Sequence, residues 1–342
     1  MKTIVHIMPT IPPRINGVGD FGYFLAEAMA EQTDLNNIFL VKKLPDAELN
    51  NTEKFDSDTL TNKLYQHKPQ AIIVHFVNYS YHSKGLPFYL IKALKSAKAL
   101  LKCKIVIYFH ELFSSSKSLL KLSFYTNTLQ KYIVKQLYNL ADHTFTNCDQ
   151  YESLLYGIVN NKGRNTVTGL FSNISDGLYN DSITKEDNSM IVFGSLARRN
   201  KIYNNPDFDH LIKKLYIKEI YDIGAGQINV DDFDVNIHIK GALPVEDVAY
   251  YLNKAKFGGI DYRPQIIGKS GILSAYAAFG VIPVNFNVEK ESLSDGLKEG
   301  INYINSFSSS SQSGFEIMKQ NVCNWYKPRK RNNIARLINS HL

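Results

Sequence analysis

The sequence predicts an α/β protein built from two domains, each a parallel sheet covered by helices, with a cleft between them, and three observations carry that expectation. Short apolar, β-branched runs alternate with amphipathic helical stretches, the pattern of parallel sheets covered by helices, and the alternation occurs twice. A polar, turn-rich segment from Phe171 to Asn188 separates the two series. With 342 residues and 44% apolar content the chain is long enough for about two cores.

In the first half the strand candidates are residues 3–8, 37–42, 71–77, 104–109, 143–147 and 165–169. Ala71-Ile-Ile-Val-His-Phe-Val77 is apolar at nearly every position, as expected of a strand covered on both faces. In the second half the candidates are 190–194, 220–224, 235–239, 257–261 and 281–285. The expected divisions are an N-terminal domain over 1–172, a linker over 173–188, a C-terminal domain over 189–324 and a closing helix over 325–342. That last helix follows the basic turn Lys327-Pro-Arg-Lys-Arg331. Ser308 to Ser313 reads as a small low-complexity loop.

Composition excludes several classes. Cys103, Cys148 and Cys323 lie far apart with no C-x-x-C or Cys/His spacing, so neither a disulfide framework nor a zinc site is expected. The compartment is expected to be reducing and the protein cytoplasmic, since no signal peptide and no run of about 18 apolar residues is seen. The net charge of +7 is concentrated: Lys84 to Lys135 holds ten lysines against the single acid Glu111. Within it, Phe88 to Leu100 sets Leu90, Ile91 and Leu94 against Lys92, Lys95 and Lys98, and Lys117 to Lys135 interleaves lysines with Leu119, Leu120, Leu122, Phe124 and Tyr125, a pattern that suits either an anionic membrane surface or a solvated helix face. No recognition-helix, zinc-finger or RNP pattern accompanies the charge, so nucleic acid is not an expected partner.

The segment Gly17-Val-Gly19-Asp20-Phe-Gly22 follows the first strand and opens a helix, where backbone N–H groups and the positive helix end converge on a point suited to phosphate or a sugar hydroxyl. Its letters match G-x-G-x-x-G, but eight residues, Pro9 to Asn16, separate strand from glycine, and the second strand ends in Lys42-Lys43 where an acid would take a ribose. A dinucleotide site is therefore not expected.

Other constellations fall at strand ends. His110-Glu111 closes the fourth strand, where a His could donate to a hydroxyl or move a proton and a Glu could orient it or act as base. H-E-x-x-H is absent, because position 114 is Ser. Asn78-Tyr79-Ser-Tyr81 follows the third strand with aromatics suited to stacking on a sugar. After Phe193-Gly194-Ser195 come Arg198, Arg199 and Lys201, cations suited to a diphosphate leaving group. Gly268-Lys269-Ser270-Gly271 starts a small-residue helix whose free N–H groups could cradle phosphate, though Arg263 stands where a Walker A loop would have glycine.

Taken in order, Gly17-Val-Gly19-Asp20, Tyr79-Ser-Tyr81 with Gly85 and Pro87, His110-Glu111-Leu112, Ser172-Asn173-Ile174, Phe193-Gly194, and Lys269-Ser270-Gly271 with Gly280 and Pro283 resemble bacterial GT-B glycosyltransferases. They are similar to the retaining enzymes of family 4, a resemblance that implies two Rossmann-like α/β/α domains facing a central cleft. The resemblance implies an acceptor held by the first domain, at Asn78, Tyr79 and Tyr81, and a nucleoside diphosphate sugar held mainly by the second. It places Gly17, Gly19 and Asp20 near the donor phosphate and reacting sugar, and His110, beside Glu111, near the transferred sugar. Lys201 would stabilise the departing diphosphate together with Arg198 or Arg199, since Ser195 occupies the usual arginine position. Lys269, Ser270 and Gly271 would bind phosphate, and neither a metal nor a further cofactor is implied.

One departure stands out. The paired glutamates that such enzymes direct at donor sugar and ribose fall on Ile267 and Ala275. The expected function is sugar transfer to a glycan or lipid-linked glycan in bacterial surface polysaccharide assembly. The alternatives are a catalytically silent module that binds glycan or assists a partner enzyme, and a nicotinamide-dependent oxidoreductase.

Overall fold

A computed structural model describes residues 2–14, 16–47, 49–114, 122–228, 230, 233–289, 295–306, 308 and 312–342. Lys117 to Lys121, with Leu119 and Leu120, and Ser309 to Ser311 of the serine loop fall outside these residues, as do the side chains of Leu122 and Phe124. The chain forms two compact units, the first comprising Met1–Gly169 with Arg331–Leu342 and the second Leu170–Lys330.

The first unit runs β1 (Lys2–Met8), α1 (Gly17–Gln32), β2 (Leu35–Val41), β3 (Thr52–Lys54), α2 (Leu60–His67), β4 (Ala71–Phe76), α3 (Asn78–Tyr81), α4 (Phe88–Leu101), β5 (Lys104–Phe109), α5 (Leu122–Leu140), β6 (His143–Thr146), α6 (Asp149–Tyr156) and β7 (Asn165–Val167). Its seven strands pair in the order β3-β2-β1-β4-β5-β6-β7. All are parallel, with Val5 opposite Ile38 and Ile4 opposite Ala71. Because side chains alternate along a strand, Val5, Ile7, Ile72, Val74, Ile105 and Ile107 form one apolar face. The opposite face carries His6, His75 and Tyr108; the rings of His75 and Tyr108 pack near Phe21 of α1, and His6 stacks on His75.

The second unit runs β8 (Glu186–Phe193), α7 (Leu196–Tyr203), α8 (Phe208–Lys214), β9 (Glu219–Ile223), β10 (Asn236–Gly241), α9 (Val245–Lys254), β11 (Ala255–Ile260), α10 (Gly271–Ala278), β12 (Ile282–Asn285) and α11 (Gln312–Tyr326). The five-stranded sheet has the order β10-β9-β8-β11-β12, again parallel. Ile191 joins one core cluster while Met190 and Val192 join another, so helices cover both faces of this sheet.

Two expectations about organisation change. The stretch 325–342 is not one closing helix: Trp325 and Tyr326 finish α11 within the core of the second unit, and α12 (Arg331–Asn339) belongs to the first. α12 packs on α1, where Gln32 Nε2 donates to the Asn332 carbonyl at 2.8 Å and Asn339 Nδ2 to that of Met29 at 3.3 Å. The segment read as a linker is also absorbed into the second unit, since Ser172 N–H donates to the Tyr326 hydroxyl at 3.1 Å and β8 already begins at Glu186.

Candidate functional site

In the first unit, crossovers leave β1 and β4 in opposite directions, so the carboxyl ends of these neighbours border a crevice of the kind where open parallel sheets bind ligands. The residues delivered there are the Pro9-Thr10 loop after β1, Lys42 and Lys43 after β2, and α3 after β4. Together with Arg14 and Asn16 they line a cavity of about 470 Å³.

Helix α1 starts at this crevice. Asn16 caps it, its Oδ1 accepting from Val18 N–H at 3.1 Å and Gly19 N–H at 2.9 Å. The glycines have separate roles. A Cβ at Gly19 would lie 2.3 Å from the Thr10 carbonyl oxygen, so this glycine lets α1 close on the preceding loop, whereas a Cβ at Gly17 would meet nothing within 4 Å. Gly17 is thus the one open to approach. Burial pushes the Asp20 carboxyl up to about 6, against the lowering effect of a hydrogen bond from the Asn16 backbone.

His110 follows β5 with its N–H on the Phe76 carbonyl at 3.0 Å, and it is almost wholly buried. Its ring stacks on Tyr108 at 4.5 Å between centroids, and its Nε2 lies 3.3 Å from His75 Nδ1. Desolvation holds the His75 imidazole well below its ordinary value and that of His6 at about 4, so both are neutral at pH 7. Glu111 is exposed beside them. Nothing local in the chain marks His6 and His75, on separate strands, as neighbours in a row of rings behind His110.

The three acceptor candidates diverge. Tyr79 is 44% exposed and lines the cavity. Asn78 is buried, and neither its Oδ1 nor its Nδ2 has a protein partner. Tyr81 is a correction: it is 3% exposed and its hydroxyl donates to the carbonyls of Ile7 and His75 at 3.0 and 2.7 Å. It pins α3 to the sheet from inside the core and does not present a face to a ligand.

The second unit has its own reversal of strand order, between β8 and β11. β8 ends at Phe193-Gly194-Ser195, and Gly194 takes φ +134°, with a Cβ there 2.7 Å from Ile272 Cδ1 in the first turn of α10. Glycine thus lets the β8 loop approach the start of α10. Arg198 spans the reversal, its Nη1 donating to the Asp261 carbonyl at 2.9 Å and its guanidinium lying 4.2 Å from the Tyr262 ring centroid. Lys201, one turn further along α7, is exposed.

Arg199 is the second correction. It is 0% exposed, paired with the buried Asp222, and bonded through Nε to Gly194 O at 3.2 Å and through Nη2 to Ala225 O and Gly226 O at 2.6 and 3.1 Å. Asp222 also accepts from the Tyr203 hydroxyl at 3.0 Å. This guanidinium braces the loops after β8 and β9 and has no face left for a donor phosphate; of the two arginines, only Arg198 lies at the strand edge.

At α10, Ser270 is the N-cap, its Oγ accepting from Leu273 N–H at 3.2 Å, and a Cβ at Gly271 would meet nothing within 4 Å. Lys269 is half-buried in the preceding turn. Ile267 and Ala275 both sit in the apolar core, while the neighbouring polar position, Ser274, donates to the Leu170 carbonyl at 2.7 Å. Among the described residues no cluster of His, Cys, Asp and Glu could hold a metal, and no helix is long and apolar enough to cross a membrane.

No family model and no curated protein matches the chain. Solved structures do. HepE from Anabaena, in complex with UDP and glucose, matches with a TM-score of 0.62 at 10% identity over 99% of each chain. The lipopolysaccharide outer core galactosyltransferase WaaB matches with a TM-score of 0.59 at 11% identity, over 99% of this chain and 100% of that one. A protein described as a UDP-N-acetylglucosamine 2-epimerase from Listeria monocytogenes matches with a TM-score of 0.62 at 14% identity, over 100% and 97%. Likeness at such identities speaks to architecture, and with the two parallel-sheet units it establishes that this chain has the GT-B fold.

Proposed function

We propose that this protein transfers a sugar from a nucleoside diphosphate sugar to a glycan or lipid-linked glycan acceptor, with retention at the anomeric carbon, in bacterial surface polysaccharide assembly. The observation that carries the proposal is the reversal of strand order in the second unit, where the β8 loop, Arg198 and the open start of α10 are packed together. The first N–H groups of α10, at Gly271 and Ile272, have no intrahelical partner, and with Ser270 taking the Leu273 N–H they offer a positive helix end to phosphate. Arg198 and Lys201 add the cations that a departing diphosphate needs, and catalysis then comes chiefly from stabilising that leaving group. Structural likeness to a protein in complex with UDP and glucose supports the donor class and makes UDP the first nucleotide to test.

In this reading His110 and Glu111 act at the transferred sugar, Gly17 and Asp20 at the donor, and Asn78 and Tyr79 at the acceptor. Purified protein would be incubated with a panel of nucleotide sugars and acceptors; absence of both transfer and donor hydrolysis counts against the proposal. His110→Ala and Lys201→Ala should each lower turnover about 100-fold or more, and unchanged rates would remove those roles.

An anionic membrane surface is a partner in the same proposal, with the protein peripheral on the cytoplasmic face. Phe88, Ile91, Lys92, Lys95 and Tyr132 line a groove of about 300 Å³ whose Phe88 and Tyr132 are 43% and 52% exposed. Failure to bind anionic vesicles at low salt would exclude it. A second reading, a silent module that binds glycan or assists an enzyme, is favoured by one observation: Ile267 and Ala275 are core residues without carboxylates. Calorimetric titration with UDP and GDP separates the readings, since a silent module need bind neither.

A further inference from the structure

The cavity at the carboxyl ends of β1, β2 and β4 carries a charge for which glycosyl transfer by itself gives no reason. Its lining includes Thr10, Arg14, Asn16, Lys42, Lys43 and Tyr79, and no carboxylate. The cations are fixed by the backbone: Lys42 N–H donates to Met8 O at 3.3 Å and Lys43 N–H to Pro9 O at 3.0 Å, which carries the pairing of β1 with β2 past the end of β1.

Among the described residues, two acids act on these cations. Asp46 meets Arg14 at 3.5 Å and is 79% exposed, so this pair is weak and a ligand can displace it. Asp56 acts on Lys42, whose ammonium lies over the rings of Phe55 and Tyr89 at 5.3 and 5.4 Å. Arg14 and the exposed Lys43 therefore present the accessible charge. Thr10 is 4% exposed and its Oγ1 has no protein partner, a buried hydroxyl that costs stability until something fills its hydrogen bond. Tyr79 adds an exposed aromatic face of the kind that stacks on sugar rings.

We propose that this cavity binds the anionic group, phosphate or carboxylate, of an acidic sugar, so that the acceptor is a charged saccharide. The inference rests on the glycosyl-transfer reading only for the role of acceptor; the binding chemistry stands on the cavity. Arg14 supplies a two-pronged donor for the anion, Lys43 a point charge, the Thr10 hydroxyl a further hydrogen bond and Tyr79 a surface for the ring.

The test is isothermal titration of the full chain at low ionic strength with glucose 6-phosphate, glucuronic acid, glucose and inorganic phosphate, and separately with UDP. At least one acidic sugar should bind ten or more times tighter than glucose, and tighter than inorganic phosphate alone. Arg14→Gln and Lys43→Gln, both at solvent-accessible positions where folding is not at stake, should each weaken that binding about tenfold and leave UDP affinity unchanged. Equal binding of acidic and neutral sugars overturns the inference. So does inorganic phosphate binding as tightly as the sugar phosphate, or a loss of UDP affinity in either variant, which would give the cavity to the nucleotide. Acidic sugars binding while UDP does not would sink the transferase proposal and leave this one standing.

Discussion

The two units solve the same geometric problem, a reversal of strand order with polar groups at the carboxyl edge, in opposite ways. In the second unit the side chains that brace the edge are matched within the protein: Arg199 by Asp222 and three loop carbonyls, Ser270 by Leu273, and the Tyr276 hydroxyl donates to Ile191 O and Gly259 O at 3.1 and 3.0 Å, while Asn200 Oδ1 on α7 and the first N–H groups of α10 are left over. In the first unit Thr10 Oγ1 and both amide atoms of Asn78 have no partner, and the imidazoles of His6 and His75 are held neutral beneath α1. Buried polar groups are ordinarily satisfied, and exceptions call for a cause. The edge of the second unit is braced by its own buried ion pair and leaves mainly helix N–H groups over, whereas the edge of the first leaves over the buried side chains of Thr10 and Asn78.

This contrast can be broken most sharply at Arg199. Arg199→Ala leaves Asp222 buried without its ion-pair partner and should destabilise the second unit by about 3–5 kcal/mol, while Arg198→Ala, at the half-buried strand edge, should change stability by about 1 kcal/mol or less. Trp325 is the sole tryptophan and lies in the second unit, so its emission during urea unfolding reports that unit; equal effects of the two substitutions would contradict the assignment.

The next largest effect is expected from acid. His6 binds fewer protons folded than unfolded, so its contribution is complete above pH 6.5 and is lost as pH falls from 6.5 toward 4. That loss amounts to about 3 kcal/mol, and His75, also lowered by burial, adds to it. His143, held at about 4 by burial, and His341, also lowered and stacked on it at 3.7 Å, act in the same direction. Helical circular dichroism should therefore fall across this range before Trp325 emission changes; simultaneous loss would mean the first unit has no special acid sensitivity.

A smaller effect separates the glycines of α1. Gly19→Ala places a methyl against the Thr10 carbonyl and should cost about 1–3 kcal/mol, while Gly17→Ala should unfold like the parent protein and show its effect in donor binding. The smallest is Tyr81→Phe, which removes the hydroxyl held by Ile7 and His75 and should cost about 1 kcal/mol with acceptor KM unchanged. A raised KM with intact stability would return Tyr81 to the acceptor site.

Most of the architecture was readable in the sequence because buried parallel strands must be apolar on both faces, as Ala71 to Phe76 shows. β3 escaped notice because Thr52-Glu-Lys54 is a polar three-residue edge strand with no such pattern. Site residues were less legible. Arg198 and Arg199 are neighbours in sequence but point about 100° apart around α7, and only the fold reveals which faces Asp222. Tyr79 and Tyr81 separate for the same reason within α3. The cavity cations come from two segments, and only Lys42-Lys43 left a local trace, in the missing acid after β2.

The return of α12 to the first unit has a consequence for synthesis. Everything in that unit up to Gly169 leaves the ribosome before any of the second, yet α1 lacks its partner until Arg331–Asn339 has been made. The second unit is contiguous and can close on its own as it emerges. A nascent chain stopped after Lys330 should therefore hold a protease-resistant second unit beside a first unit cut readily at α1. The half of the protein that begins to be made first is the last to be finished.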